Sequence, residues 1–140
     1  MVTLKITMEA DYAIRIVYFL TRVTGRSDAK TISEAMSVTL RFALKILRKL
    51  CINGIIKSFK GVNGGYQLNM LPEDINLCMV IETINGPIGI NRCLNPENIC
   101  SRVDNKLKCP FHNEFNHIND MLKAELEKIN FGTFSGDMPN

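Results

Sequence analysis

The segment from residue 31 to residue 54 most constrains the fold, because it contains two helical patterns separated by only a few residues. Thr31 or Ser33 can cap the first helix, and Thr39 can cap the second, which is predicted to end at Asn53-Gly54. The second pattern repeats apolar residues at spacings of three and four, which predicts one buried face made of Leu40, Ala43, Leu44, Leu47 and Leu50. A short helix, a tight turn and a longer helix are typical of a helix-turn-helix.

Two short strand patterns follow these helices and predict a hairpin. Residues 55–59 and 66–69 contain β-branched and aromatic side chains, and residues 60–65 between them include three glycines. Glycine tolerates positive φ angles and leaves backbone N–H groups accessible, which suits a wing tip that approaches phosphates. The turn matches neither glycine-rich nucleotide-binding motif, since no Gly-Lys-Ser/Thr and no helix-opening Gly-x-Gly-x-x-Gly occurs. The expected fold is therefore mainly α with a small β wing, preceded by an apolar helix around residues 13–20 and a polar loop at 28–30.

The charge of the chain is distributed unevenly. Residues 1–70 hold 11 Lys and Arg against 4 Asp and Glu, a net charge of +7, whereas residues 71–140 have a net charge of −4. No carboxylate occurs in the 38 residues between Glu34 and Glu73. A basic surface of this kind is typical of a protein that contacts double-stranded DNA, although a solvated basic face is the alternative. The residues predicted to contact DNA are Thr39, Arg41, Lys45, Arg48, Lys60, Asn63, Gly64 and Gly65.

Four potential metal ligands lie close together after the hairpin. Cys93, Cys100, Cys109 and His112 form the pattern Cys-x6-Cys-x8-Cys-x2-His, surrounded by polar residues. Thiolates and an imidazole suit either zinc or an iron-sulfur cluster. Only Cys109 and His112 have the short spacing of a zinc knuckle, and spacing alone leaves the choice of metal open. The other two cysteines, Cys51 and Cys78, lie in apolar helical patterns and are predicted to be small core residues.

The sequence resembles the IscR/NsrR-type winged helix-turn-helix transcription regulators of bacteria along nearly its whole length. The matching segments are residues 4–7 and 11–15, Thr-Ile-Ser-Glu at 31–34, Lys-Ile-Leu-Arg-Lys-Leu at 45–50, and Lys-Gly-Val-Asn-Gly-Gly-Tyr-Gln-Leu at 60–68. The resemblance implies a homodimer that binds a palindromic promoter site, and we expect a repressor. It also implies that the three cysteines hold an iron-sulfur cluster, [2Fe-2S] or [4Fe-4S], through which the regulator senses cluster status, redox state or nitric oxide.

The cysteine spacing departs from that family's usual pattern. Its cluster-binding members usually separate the cysteines by five residues, whereas the intervals here are six and eight, so the loop is longer. Two fourth ligands are compatible with the resemblance. His112 matches the histidine of IscR-like members and is favoured slightly, and Asp11 matches the aspartate that NsrR-like members supply from the partner subunit. Zinc or a thiol switch in place of the cluster is the alternative.

The last helical pattern repeats apolar residues from Phe111 to Ile129 and predicts a helix of about 18 residues. In the resembling family this helix builds the dimer, while packing within one subunit is the alternative. We expect four regions: a winged helix-turn-helix over residues 1–88, a cysteine-rich loop over 89–112, a dimerisation helix over 113–130 and a disordered tail over 131–140.

Several classes of protein are disfavoured by the sequence. No constellation of nucleophile, base and orienting residue is recognisable, so an enzyme is not expected. The apolar run at residues 12–20 is interrupted by Arg15, which argues against a signal peptide or a membrane segment. We therefore expect a cytoplasmic protein, in which cysteines serve metal binding or redox chemistry rather than a disulfide framework. A non-DNA interaction protein that binds metal remains the alternative.

Overall fold

The computed structural model describes residues 5–134. Within these residues the chain forms five α-helices and one two-stranded antiparallel sheet: α1 (Met8–Arg22), α2 (Ala29–Met36), α3 (Leu40–Ile52), β1 (Ile56–Phe59), β2 (Gly65–Leu68), α4 (Leu77–Asn85) and α5 (Pro110–Glu127). The predicted mainly α fold with a small β wing is confirmed. No helix among the described residues combines the length and apolarity needed to cross a bilayer.

The core forms around α1, whose apolar stripe lies between α3 and α4. Ala13, Ile16 and Val17 of α1 are fully buried, and they share a cluster with Ile46 of α3 and Val80 of α4. Each fully buried Val or Ile side chain contributes about 1.5–3 kcal/mol of transfer free energy. The helix-turn-helix is therefore fixed to the rest of the molecule by apolar burial.

Helix α2 begins earlier than the sequence predicted. The prediction that residues 28–30 form a loop, with Thr31 or Ser33 as the cap, is wrong. The Asp28 carboxylate accepts a hydrogen bond from the Thr31 backbone N–H at 2.7 Å, so the helix starts at Ala29. This backbone hydrogen bond also lowers the pKa of Asp28. An aspartate that accepts an N–H three residues ahead is as good a helix cap as Ser or Thr.

Helix α3 and the hairpin agree closely with their predicted limits. Thr39 caps α3 by accepting from the Phe42 N–H at 3.1 Å, and the helix ends before Asn53-Gly54 as predicted. Strands β1 and β2 pair in a register that places Ile56 opposite Leu68 and Phe59 opposite Gly65. The winged helix-turn-helix is thus formed by residues adjacent in sequence.

The end of α5 returns to the start of α4. The Leu77 N–H donates to the Ile129 carbonyl at 3.0 Å, and the Phe131 N–H donates to the Ile75 carbonyl at 3.0 Å. Phe131 is only 4% exposed and belongs to the main core. The prediction of a disordered tail is therefore wrong at residue 131, because this phenyl ring packs in the core. Residues 135–140 of the predicted tail lie outside the described residues.

Candidate nucleic-acid interface and cysteine loop

One side of α3 faces solvent and is strongly basic. Arg41, Lys45 and Arg48 are all exposed, and successive members lie three or four residues apart along one face. No described residue forms an ion pair with Arg41 or Arg48. These two guanidinium groups are free to contact phosphates or base edges.

Two lysines of α3 are already compensated by a carboxylate from α1. Glu9 lies 3.0 Å from the Lys49 Nζ and 3.8 Å from the Lys45 Nζ. Lys49 also donates to the Ile84 carbonyl at the end of α4. The sequence suggested that the basic segment has no compensating carboxylate, but the fold supplies one from residues distant in sequence. Lys45 retains 62% exposure of its side chain, so it still presents charge to solvent.

The predicted buried stripe of α3 is partly wrong. Leu40 is 47% exposed and Leu44 is 42% exposed, whereas Ile46 is fully buried. The buried residues follow the helix along Ala43, Ile46, Leu47 and Leu50. Leu40 and Leu44 therefore lie on the same solvent-facing side as the arginines.

The wing is held against the body of the protein by residues before α2. Ser27 pairs with Tyr66 through two backbone hydrogen bonds of 2.8 and 3.0 Å. The Arg26 guanidinium lies 3.4 Å from the centre of the Phe59 ring and donates to the Asn63 carbonyl at 3.2 Å. Lys60 and Asn63 are exposed at the tip, where they remain predicted DNA contacts.

The two glycines that end the wing turn have a structural reason to be glycine. Gly65 has φ of 140°, and a Cβ there would lie 2.8 Å from the Ser27 carbonyl oxygen. A Cβ on Gly64 would lie 2.9 Å from the Gly61 carbonyl oxygen. Both glycines allow close backbone packing, and their predicted contact with DNA is a separate proposal.

Gly65→Ala is expected to destabilise the protein and weaken DNA binding, because the new methyl group displaces the Ser27 backbone. We expect a loss of about 2 kcal/mol or more, from positive φ strain and steric overlap together. Chemical denaturation measures the stability, and amide hydrogen exchange locates the change. Gly61→Ala is the matched control, since Gly61 has φ of 95° and open space around it. Equal stability losses in both variants would contradict the assigned role of the Ser27 contact.

The cysteine loop forms an open cleft beside the N-terminal half of α5. Cys93, Cys100 and His112 line this cleft, which has a volume of about 610 Å³. Asp104 and Asn116 lie on the same lining. Cys109 occupies the N-cap of α5, one helical turn before His112, and its side chain makes no capping hydrogen bond. The structure therefore places three of the four predicted ligands, Cys93, Cys100 and His112, on one cleft. The fourth, Cys109, lies one helical turn before His112.

Two of the sulfur atoms accept hydrogen bonds from neighbouring N–H groups. The Arg102 backbone N–H lies 3.4 Å from the Cys100 Sγ, and the Asn91 Nδ2 lies 3.3 Å from the Cys93 Sγ. The pKa of the Cys100 thiol is lowered mainly by the hydrogen bond from the Arg102 N–H, and next by that from the Val103 N–H. Such hydrogen bonds stabilise thiolates and tune the sulfur ligands of metal clusters.

His112 provides a further sign of a binding site. Its Nδ1 atom is buried and has no hydrogen-bond partner among the described residues. A buried polar atom without a partner costs about 1–3 kcal/mol unless something binds it. No three Cys, His, Asp or Glu side chains within residues 5–134 converge on a point where one ion would be coordinated. The donor set fits a thiolate-ligated metal group, while the ligands are brought together only in part.

Asp11 and the two remaining cysteines lie away from the cysteine cleft. Asp11 forms an ion pair with Arg15 one turn along α1, at 2.9 Å, and does not line the cleft. Cys78 is buried, as predicted, and burial raises its pKa to about 11. Cys51 is half-buried beside the core. Neither Cys51 nor Cys78 lines the cysteine cleft.

Helices α4 and α5 anchor the start of the cysteine loop through polar side chains. Asn119 of α5, only 7% exposed, donates to the Ile88 carbonyl at 2.9 Å and accepts from the Ile90 N–H at 3.1 Å. Glu82 of α4 accepts from the Ile88 N–H at 2.9 Å and pairs with Lys123 of α5. Burial alone would raise the pKa of Glu82, but these partners and the Cys78 thiol lower it. Residues 88–90 are thereby fixed to both helices just before Cys93.

Comparison with known proteins identifies the family. A family model described as "Rrf2: Iron-dependent Transcriptional regulator" matches residues 6–136. The chain belongs to the Rrf2 family. The resemblance to IscR/NsrR-type regulators that the sequence motifs indicated is thus confirmed.

Individual relatives of this Rrf2 chain are named as transcriptional regulators. A putative HTH-type transcriptional regulator of Haemophilus influenzae is 30% identical over 128 residues, which cover 90% of this chain and 83% of that protein. The HTH-type transcriptional regulator NsrR of Bacillus subtilis is 31% identical over 100 residues, which cover 69% of this chain and 68% of that protein. These names agree with the prediction that the chain is not an enzyme.

A solved structure with the same fold is CymR, the global cysteine regulator of B. subtilis. It superposes with a TM-score of 0.74 at 22% identity, covering 98% of this chain and 100% of that chain. At this identity the similarity shows the fold alone. The winged helix-turn-helix architecture of this Rrf2 chain is therefore shared with an experimentally determined structure.

Sequence reasoning missed Glu9, Arg26 and Asn119 of this Rrf2 chain. Each contacts a segment distant along the chain: Glu9 pairs with Lys49 of α3, Arg26 donates to Asn63 37 residues later, and Asn119 donates to Ile88 31 residues earlier. Of these three residues, only Asn119 has a local sign in the sequence, because it is a polar residue within an amphipathic helical pattern. Long-range polar contacts of this kind leave no periodic pattern.

Asn119→Leu is expected to destabilise the protein and release residues 88–90. The change leaves the Ile88 carbonyl and the Ile90 N–H without their partner, at a cost of about 1–3 kcal/mol. Chemical denaturation gives the free energy of unfolding, and amide exchange at Ile90 reports the local effect. His117→Leu on the exposed side of α5 is the matched control. Unchanged exchange at Ile90 in Asn119→Leu would contradict the anchoring role.

Proposed function

We propose that this Rrf2-family protein is a homodimeric, DNA-binding repressor whose affinity for a palindromic promoter site is set by an iron-sulfur cluster. Cys93, Cys100, Cys109 and His112 are the proposed ligands. The observation that carries this proposal is the cleft lined by Cys93, Cys100 and His112. The buried Nδ1 atom of His112, which has no partner among the described residues, supports it. The family description as iron-dependent supports iron as the metal.

The DNA-binding role rests on the exposed side of α3 and on the wing. Arg41, Lys45 and Arg48 face solvent together, and the second helix of a helix-turn-helix enters the major groove. We expect the wing tip, with its exposed Lys60 and Asn63, to contact the adjacent DNA backbone, and Gly64 and Gly65 allow its close turn. Thr39 fixes the N-terminus of α3, the end that approaches the bases.

The cysteine loop is proposed to act as the sensor. A bound cluster would supply a group sensitive to oxidation or nitric oxide. The Asn91 and Arg102 N–H groups stabilise negative charge on two of the sulfur ligands. Asp11 of a partner subunit is the alternative to His112 as fourth ligand.

The cysteine loop is connected to α3, the second helix of the helix-turn-helix, by contacts within one subunit. Glu82 and Asn119 hold residues 88–90, α4 carries the Ile84 carbonyl that accepts from Lys49, and Lys49 belongs to α3. Rearrangement of the loop would therefore act on α4, α5 and the position of α3. Half-sites of a palindrome lie about 34 Å apart, so small changes in the spacing between the α3 helices of the two subunits alter the affinity for DNA.

The proposed dimer uses the exposed apolar stripe of α5. Its members are Phe111 at 67% exposure, Phe115 at 36%, Ile118 at 48% and Leu122 at 40%. A stripe of large apolar side chains left in water is unusual for a monomer and typical of an association surface. A second copy of the same helix would bury it symmetrically.

Ile118→Glu is expected to weaken self-association about a hundredfold or more, because symmetry places two carboxylates in an apolar contact. Analytical ultracentrifugation measures the dimer dissociation constant. Ala124→Glu is the matched control, since Ala124 is exposed on the opposite side of α5. A dimer unaffected by Ile118→Glu would show that α5 is not the interface.

Metal analysis of protein purified without oxygen tests the sensor proposal. We expect iron and acid-labile sulfide in comparable amounts and absorbance in the visible range. Stoichiometric zinc with no sulfide would replace the cluster with the zinc alternative. A colourless protein that remains metal-free after reconstitution would leave a thiol switch.

A further inference from the structure

The solvent-facing side of α3 contains two leucines in addition to its cations. Leu40 is 47% exposed and Leu44 is 42% exposed, although both fit the apolar periodicity of the helix. They lie four residues apart and therefore one above the other on the same face. The buried face of α3 contains Ala43, Ile46, Leu47 and Leu50 but neither of these leucines, so Leu40 and Leu44 are not required for the core.

The surroundings of these leucines indicate what covers them. Arg41 lies between them in sequence, and Arg48 lies one turn beyond Leu44 on the same face. Helix α3 contains no acidic residue. An apolar patch bordered by uncompensated guanidinium groups is complementary to a polyanion that also presents methyl groups. The major groove of DNA has both properties, since phosphates border it and thymine exposes its C5-methyl group there.

The position of the leucines along the helix supports the same occupant. Leu40 is the first residue of α3, directly after the Thr39 cap, and Leu44 follows one turn later. Base contacts of a helix-turn-helix come from the N-terminal part of the second helix. Ile52 is also exposed, at 72%, but it lies at the far end of α3, about 18 Å from Leu40 along the axis.

We propose that Leu40 and Leu44 read thymine through its C5-methyl group, next to guanines contacted by Arg41 or Arg48. This inference rests on the proposed DNA-binding function and adds a base preference to it. Each half-site would then contain thymine at one or two positions beside a guanine. Leu40 and Leu44 act as specificity residues, while the arginines supply most of the affinity.

Two linked experiments test this proposal. Selection from a random double-stranded DNA library first defines the sites that wild-type protein enriches. Wild-type binding is then compared between a selected duplex and the same duplex with deoxyuridine in place of thymine, which removes only the methyl group. We expect about a fourfold loss of affinity for each contacted methyl, from the burial of one apolar carbon.

The variants Leu40→Ala and Leu44→Ala complete the test, with Ile52→Ala as the matched control on the same exposed side. Each leucine variant should lose the discrimination between thymine and uracil at its position, and Ile52→Ala should keep it. Wild-type protein that binds the uracil duplex as tightly as the thymine duplex would overturn the inference while leaving the DNA-binding function intact. Enrichment of no sequence at all would overturn both.

Discussion

Replacing Cys93, Cys100 or Cys109 with Ala, one at a time, is expected to remove the visible absorbance and most of the iron from protein purified without oxygen. A cluster held by three thiolates loses stability when one is absent, because no other side chain of this cleft supplies a thiolate. Iron and acid-labile sulfide content, with the absorption spectrum, measure the effect. His112→Ala should cause a smaller loss if Asp11 of the partner subunit can serve instead.

The remaining cysteines provide the control for this prediction. Cys51→Ala and Cys78→Ala each remove a thiol that does not line the cleft, so both variants should retain iron and sulfide at the wild-type level. A variant lacking Cys93, Cys100 and Cys109 together that still contains full iron and sulfide would refute the ligand assignment.

Arg41→Ala is expected to weaken binding to a selected DNA site by about 1–3 kcal/mol, or roughly 5- to 150-fold. Arg41 lies near the N-terminus of α3, is exposed, and forms no ion pair with any described residue. If it contacts a guanine, the loss is specific to sites containing that base. If it contacts a phosphate, affinity falls for all sequences and the salt dependence becomes less steep. Titrations at several salt concentrations separate the two.

A charge-matched variant is needed beside Arg41→Ala. Lys128→Ala removes one positive charge at the end of α5, where Lys128 forms an exposed pair with Glu125. Such a pair contributes little to stability, so this variant should fold and bind DNA like the wild type. Equal affinity of the wild type and Arg41→Ala for every sequence would exclude Arg41 from the interface.

The elements that the sequence predicted best are those specified by neighbouring residues. The Thr39 cap, the end of α3 at Asn53-Gly54 and the hairpin with its glycine turn were placed within about one residue of the structure. Each depends on one local hydrogen bond or one glycine conformation. The start of α2 was misplaced because Asp28, Thr31 and Ser33 are all acceptable caps, and periodicity cannot rank them.

The features that the sequence could not predict depend on contacts between distant segments. Leu40 and Leu44 fit the apolar period of α3 as well as Ile46 does, and only packing against α1 and α4 decides which face is buried. Glu9 of α1 pairs with Lys49 of α3, and Phe131 joins a core formed by residues more than forty positions earlier. For the candidate site, spacing identified the ligand types, but the shared cleft and the Asn119 anchor required the fold.

The most direct test of the regulator proposal is a paired DNA-binding titration of one protein preparation before and after removal of its cluster. Fluorescence anisotropy with a selected palindromic duplex, without oxygen and at fixed salt concentration, gives the two dissociation constants. We expect them to differ by tenfold or more, because the loop is fixed to the helices that position α3. Equal dissociation constants for the two forms, with both binding specifically, would contradict a cluster-controlled regulator.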